Sequence, residues 1–161
     1  MKRIIMHWTA GRNTASDLDL QHYHEVVQGD GTRVMGNLKP EANLSTSDGQ
    51  YVAHTRGLNT KSIGLAMCGM FRAKERPFNA GPSPLTPTQL KSFVKMVAEY
   101  SVTYNIPVKP TTILTHAEVQ PTLGVWQRAK WDITWLPGMN KPADPRIVGD
   151  HLRELIKKEL P

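Results

Sequence analysis

The sequence predicts one α/β sandwich domain, and three observations carry that expectation. Short apolar runs of strand length are interspersed with segments of helical periodicity. The 161 residues, 39% apolar and 21% charged, suffice for one core but not for two separate ones. The single cysteine, Cys68, excludes an intrachain disulfide framework and any multi-cysteine zinc site, so the fold must rest on buried apolar surface.

Residues 2–7 read as a short buried strand. Residues 14–22 form a short helix, with Thr14 or Ser16 as N-cap. His24–Gln28 and Thr32–Met35 flank Gly29-Asp30-Gly31, and Asp-Gly is a strong tight-turn signal, so this stretch reads as a hairpin. Residues 62–69 make another buried strand, in which Cys68 is a small core residue. The proline-rich stretch 76–84 is a loop inside the domain. The clearest helix runs from Thr86 to about Tyr104. Thr86-Pro87-Thr88-Gln89 is a capping box with proline at the first helical position, and Leu90, Phe93, Val94, Val97, Tyr100 and Tyr104 share one face. Asn105 and Pro107 end it. Residues 111–115 are a strand leading to His116, and a last amphipathic helix spans about 144–159.

The net charge of +6 predicts attraction to polyanions, whether nucleic acid, an anionic envelope polymer or a membrane surface. No segment approaches the roughly 20 apolar residues of a membrane span. Ile4-Ile5-Met6 is far shorter than a signal-peptide core of about 7–15 residues. The expectation is therefore a chain that folds in the cytoplasm.

Of six histidines, His7 and His116 stand at strand ends, where α/β folds place their ligand crevices. Lys130 and Asp132, two apart in an extended segment, face one side. Two imidazoles and one carboxylate suit catalytic zinc, which keeps a position open, although spacing alone signals this only weakly. His24 points away from Tyr23 in a strand and packs on the opposite face. His22 and His151 read as surface residues and Glu118 as an exposed carboxylate. At least two of Trp8, Trp126, Trp131 and Trp135 read as core.

His7-Trp8-Thr9-Ala10-Gly11 after an apolar strand resembles the opening zinc motif of the N-acetylmuramoyl-L-alanine amidases, the zinc amidases related to phage endolysins and peptidoglycan recognition proteins. Tyr23-His24, Val26-Val27 and Gly29-Asp30-Gly31 resemble their next strand and hairpin. His54 through Asn59 to Ser62-Ile63-Gly64 resembles their "H…N…S-I-G" segment. His116-Ala117-Glu118-Val119 and Lys130-Trp131-Asp132 resemble the segments of the second and third metal ligands. Four motifs in family order over residues 2 to 132 make the resemblance specific, and the chain looks most like a single-domain phage-type endolysin.

The resemblance implies a central mixed β-sheet flanked by helices, with residues 1–161 as one catalytic domain and no separate wall-binding domain. It implies one zinc ion held by His7, His116 and Asp132, with Lys130 stabilising the oxyanion and Tyr23 orienting or deprotonating the attacking water. His54, Asn59 and Trp8 match substrate-binding positions. The implied reaction is hydrolysis of the amide between N-acetylmuramic acid and L-alanine in peptidoglycan. The further expectations are a monomer, no nucleic-acid partner, no stable membrane insertion, and passage from the cytoplasm to the wall through a lesion made by a holin-like protein. One position departs from the branch that recycles wall fragments in the cytosol. That branch carries a glutamate base in "S-I-G-x-E", and here Ala66 follows Leu65. A non-catalytic peptidoglycan-binding module on the same scaffold is the other alternative, but such relatives usually lose a zinc ligand.

Overall fold

A computed structural model describes residues 1–161. Its five-stranded sheet has the order β3-β2-β4-β1-β5. The strands are β1 (Arg3–Trp8), β2 (Glu25–Val27), β3 (Arg33–Met35), β4 (Ser62–Met67) and β5 (Ile113–Thr115). β1 pairs in parallel with β4 and β5, β2 pairs in parallel with β4, and β2–β3 is the antiparallel hairpin. The sheet is therefore mixed, as expected.

Side-chain alternation divides the sheet into two unequal faces. Ile4, Met6 and Trp8 of β1, with Ile63, Leu65 and Met67 of β4, enter the main core. Helices α2 (Pro87–Thr103) and α4 (Pro145–Lys158) cover this side with Phe93, Met96 and Val97, and with Val148, Leu152 and Ile156. Fully burying one such side chain contributes about 1.5–3 kcal/mol. The opposite face carries Ile5 and His7 of β1 and Gly64 and Ala66 of β4, under two small apolar clusters. Short helices α1 (Asp17–His22) and α3 (His116–Leu123) lie here. The thin cover on this face leaves room for a site.

The local signals account for the helix starts. Ser16 caps α1, accepting from the Asp19 N–H, while the Asp19 carboxylate accepts from the Ser16 N–H. Thr86 and Gln89 form the reciprocal box at α2. Gln89 is fully buried and also donates to the carbonyls of Val27 and Cys68, both at 2.8 Å, tying the helix start to the ends of β2 and β4. Asn105, in the left-handed region at φ 51°, turns the chain away from α2.

Three features depart from the sequence reading. His116 opens helix α3 rather than merely ending a strand, and a 3-10 turn occupies Pro40–Leu44. Glu118 is fully buried rather than exposed. Its carboxylate accepts from both terminal nitrogens of Arg153, at 2.8 and 3.1 Å, and from the Thr115 N–H at 2.8 Å. Gly149 of α4 passes directly over that carboxylate.

Candidate metal centre and active-site cavity

The topology brings residues from both ends of the chain to one point. His7 lies near the carboxyl end of the central strand, on the thinly covered face. β5 runs beside β1 with Thr115 level with Met6, so the next residue, His116, arrives alongside His7. The loop after α3 returns to the first turn of that helix, where the Ala117 N–H donates to the Asp132 carbonyl at 2.6 Å. The Asp132 carboxylate is thereby set between the two imidazoles.

His7 Nδ1 is 3.0 Å and His116 Nδ1 3.3 Å from the same oxygen, Asp132 Oδ2, and the three donor atoms lie within 4.8 Å of one another. All three residues are buried. Tetrahedral zinc with ligands at about 2.0–2.2 Å requires donor atoms roughly 3.3–3.5 Å apart, so this set fits the ion with little movement. His116 is oriented for that task. Its Nε2–H donates to Gln127 Oε1 at 2.8 Å, which leaves the Nδ1 lone pair turned to the cluster. Gln127 is itself fixed by donating to the Arg56 carbonyl at 2.8 Å.

The electrostatics follow from burial and proximity. Burial depresses the pKa of His7 to about 4, which favours the neutral, ligating form. Burial alone would raise the Asp132 carboxyl, but His116 and His7 hold it at about 2. Burial likewise opposes protonation of His116, but Asp132 outweighs it and draws the pKa upward. Tyr23 is raised above the ordinary phenol value by burial, with Asp132 and Asp19 adding to the effect, so it stays protonated.

His116 and Asp132 open onto a cavity of about 390 Å³ that Trp8, Tyr23, His54, Lys130 and Trp131 also line. The Tyr23 ring centroid is 5.2 Å from that of His7. Lys130 is exposed at the rim. Lys130 and Trp131 also border a neighbouring groove of about 650 Å³ with Arg76, Phe78 and Lys141. That groove is larger but holds no comparable donor set, so the chemistry belongs to the smaller cavity. Ala66 stands level with His7 on β4 and offers only a methyl group.

The structure thus brings together His7, His116, Asp132, Tyr23 and Lys130. Of the three residues matched to substrate positions, Trp8 and His54 line the cavity and Asn59 does not. Trp8 is almost wholly buried and packs edge-on against Trp131, and it contributes to the cavity lining. Asn59 uses its side-chain oxygen to accept from the backbone N–H groups of His54 and Thr55, at 2.9 and 2.8 Å, and does not line the cavity. His54 is buried with its ring against His7. His24 packs away from the cavity, accepting from the Gly64 N–H at 3.0 Å through Nδ1 and donating from Nε2 to Asn43 at 3.1 Å. His22 is exposed but lines the cavity, held by the Ala53 carbonyl at 2.8 Å. Gln127 and Asn43 escaped the sequence reading, because a lone amide carries no periodic or spacing signal.

Residues 1–138 match the family described as N-acetylmuramoyl-L-alanine amidase. No curated protein matches the chain in sequence. The fold is similar to that of the N-acetylmuramoyl-L-alanine amidase LysC from Clostridium intestinale URNW, with TM-score 0.57 and 19% identity over 99% of this chain and 86% of that one. It is similar to the Staphylococcus aureus hydrolase AmiA, with TM-score 0.59 and 15% identity over 98% of this chain and 72% of that one. The peptidoglycan recognition protein ectodomains LCa and LCx share it as well, with TM-score 0.53 and 17% identity over 92% of this chain and 80% of the matched one.

Proposed function

Because the chain belongs to the N-acetylmuramoyl-L-alanine amidase family, we propose that it hydrolyses the amide between N-acetylmuramic acid and L-alanine in peptidoglycan with one zinc ion, in the manner of a phage endolysin. The observation that carries this reading is the buried set of His7, His116 and Asp132 beside a cavity edged by Tyr23 and Lys130. Retention of all three donors favours catalysis over a binding-only role.

His7, His116 and Asp132 would hold the zinc, which supplies Lewis acidity toward a water molecule and the scissile carbonyl. Water oxygen attacks the lactyl carbonyl carbon and negative charge develops on the carbonyl oxygen; as that charge collapses the C–N bond breaks, and the proton given up by the water ends on the leaving L-alanine nitrogen. Lys130 at the rim can place its ammonium against that charge, and a donor of this kind contributes on the order of 3–4 kcal/mol. Tyr23, neutral and partly buried, can orient the water through its hydroxyl. Ala66 can accept no proton, which separates this site from that of the wall-recycling amidases. The +6 charge suits an anionic envelope polymer.

The test is mass spectrometry of purified peptidoglycan digested with and without a chelator. Intact stem peptides with a free L-alanine amine, released only when the chelator is absent, are the expected product. Binding without new amines would make the chain a recognition module instead.

A further inference from the structure

His7 has a second ring nitrogen, and its surroundings constrain which nitrogen carries the proton. His7 Nε2 is 3.2 Å from His54 Nδ1 and 3.4 Å from Thr55 Oγ1. The two imidazoles meet nearly at right angles, at 81°. On its far side His54 Nε2 faces the backbone carbonyl of Ser62 in β4, at 3.4 Å. A carbonyl can only accept, so His54 Nε2 carries the hydrogen and His54 Nδ1 presents a lone pair. That lone pair faces the Thr55 hydroxyl at 2.8 Å and His7 Nε2 at 3.2 Å, so it can accept a hydrogen from His7 Nε2 beside that of Thr55. His7 Nδ1 is left with its lone pair turned toward Asp132 and His116. A metal ion held beside Asp132 would take that lone pair, whereas the opposite His7 tautomer would turn an N–H toward the ion and a lone pair toward that of His54 Nδ1.

The seat of His54 is built for this. A Cβ at Gly64 would lie 2.7 Å from His54 Cδ2 and 2.8 Å from Nδ1, so only glycine lets the ring lie against the strand. β4 is paired on both sides and cannot withdraw. The backbone of His54 and Thr55 is pinned by Asn59, whose own carbonyl accepts from Asn43 at 3.1 Å.

We propose that His54 is a positioning residue. It accepts the Nε2–H of His7 and so fixes the tautomer and ring orientation in which His7 Nδ1 ligates the metal. The proposal rests on the zinc reading and adds a role that contact with substrate does not require.

The experiment measures zinc affinity of the folded protein by competition with a chromophoric chelator, for the wild type, His54→Phe and His54→Gln. Phenylalanine fills the same flat seat without an acceptor, whereas glutamine restores one. His54→Phe should still bind one zinc, but 10–100-fold more weakly, and His54→Gln should recover part of that loss. In the zinc-loaded wild type the His7 Nε2–H should appear in imidazole ¹⁵N–¹H spectra as a slowly exchanging proton. Unchanged affinity in His54→Phe, or a fast-exchanging His7 Nε2–H in the wild type, overturns the proposal. Failure of the wild type to bind zinc at all overturns the metal reading beneath it, so the two failures are distinguishable. Should His54→Phe not fold, the wild-type proton exchange decides alone.

Discussion

Replacing Gly149 with alanine sets two effects of opposite sign against each other. In a helix interior the change ordinarily stabilises by about 0.5–1 kcal/mol, because glycine has more backbone freedom to lose. Here the added Cβ would overlap all three carboxyl atoms of Glu118. That carboxylate cannot swing aside freely, since the Thr115 N–H and two Arg153 nitrogens hold it at 2.8–3.1 Å in a fully buried position. Either α4 lifts from the sheet or the ion pair opens. Overpacking alone costs about 1–3 kcal/mol, and separating a buried pair costs about 3–5 kcal/mol. The net expectation is a loss of about 2–4 kcal/mol. With a urea slope near 2 kcal/mol/M, the unfolding midpoint should fall by roughly 1–2 M. The measurement is urea unfolding of wild type and Gly149→Ala in the presence of chelator, so that metal affinity does not enter. A midpoint equal to or above that of the wild type would refute the packing argument and leave helix propensity as the dominant effect.

Three other outcomes are expected. His7→Ala should lose stoichiometric zinc and turnover together, as metal analysis and peptidoglycan hydrolysis will show; retention of both would remove His7 from the donor set. Lys130→Ala should keep its zinc yet lose on the order of 10²–10³ in kcat, and an unchanged kcat with raised KM would make the lysine a substrate-binding residue. Burial depresses the pKa of His24 to about 4, from an ordinary imidazole value of about 6.5. The unfolded chain therefore takes up this proton first, so the stability that neutral His24 contributes is complete above pH 6.5 and is lost as pH falls toward 4. The loss by pH 4 is on the order of 2–3 kcal/mol, and it should shrink in His24→Gln when unfolding is followed against pH.

The legibility of the fold in the sequence tracks how local each signal is. β1, β4 and α2 were readable because an unbroken apolar run and a capping box are written in neighbouring residues. The hairpin was readable from Asp30-Gly31. Helix α3 was not, because it has only eight residues, carries Pro121, and begins on the residue that reads as a strand end. The donor set was visible as residue types at strand ends, and the family motifs ordered them. Its supports were not. Gln127, Asn43 and the bond between His54 and His7 depend on partners 9 to 71 residues away, and no period in the sequence encodes such pairings. Glu118 looked exposed because its partner, Arg153, lies 35 residues further on.

The place of β1 in the sheet bears on when the site comes into being. The strand nearest the amino end is flanked by β4 and β5, and its partners are residues 62–67 and 113–115. A nascent chain that has completed α2 contains His7 but neither His116 nor Asp132. Every contact that closes the sheet around β1 is nonlocal, and such parallel pairings bear the full entropy of loop closure before any pairing energy offsets it. Assembly of the donor cluster therefore waits on these long-range closures and on the chain reaching residue 132. A growing or truncated chain that stops short of residue 132 lacks the third donor, however well its first half collapses.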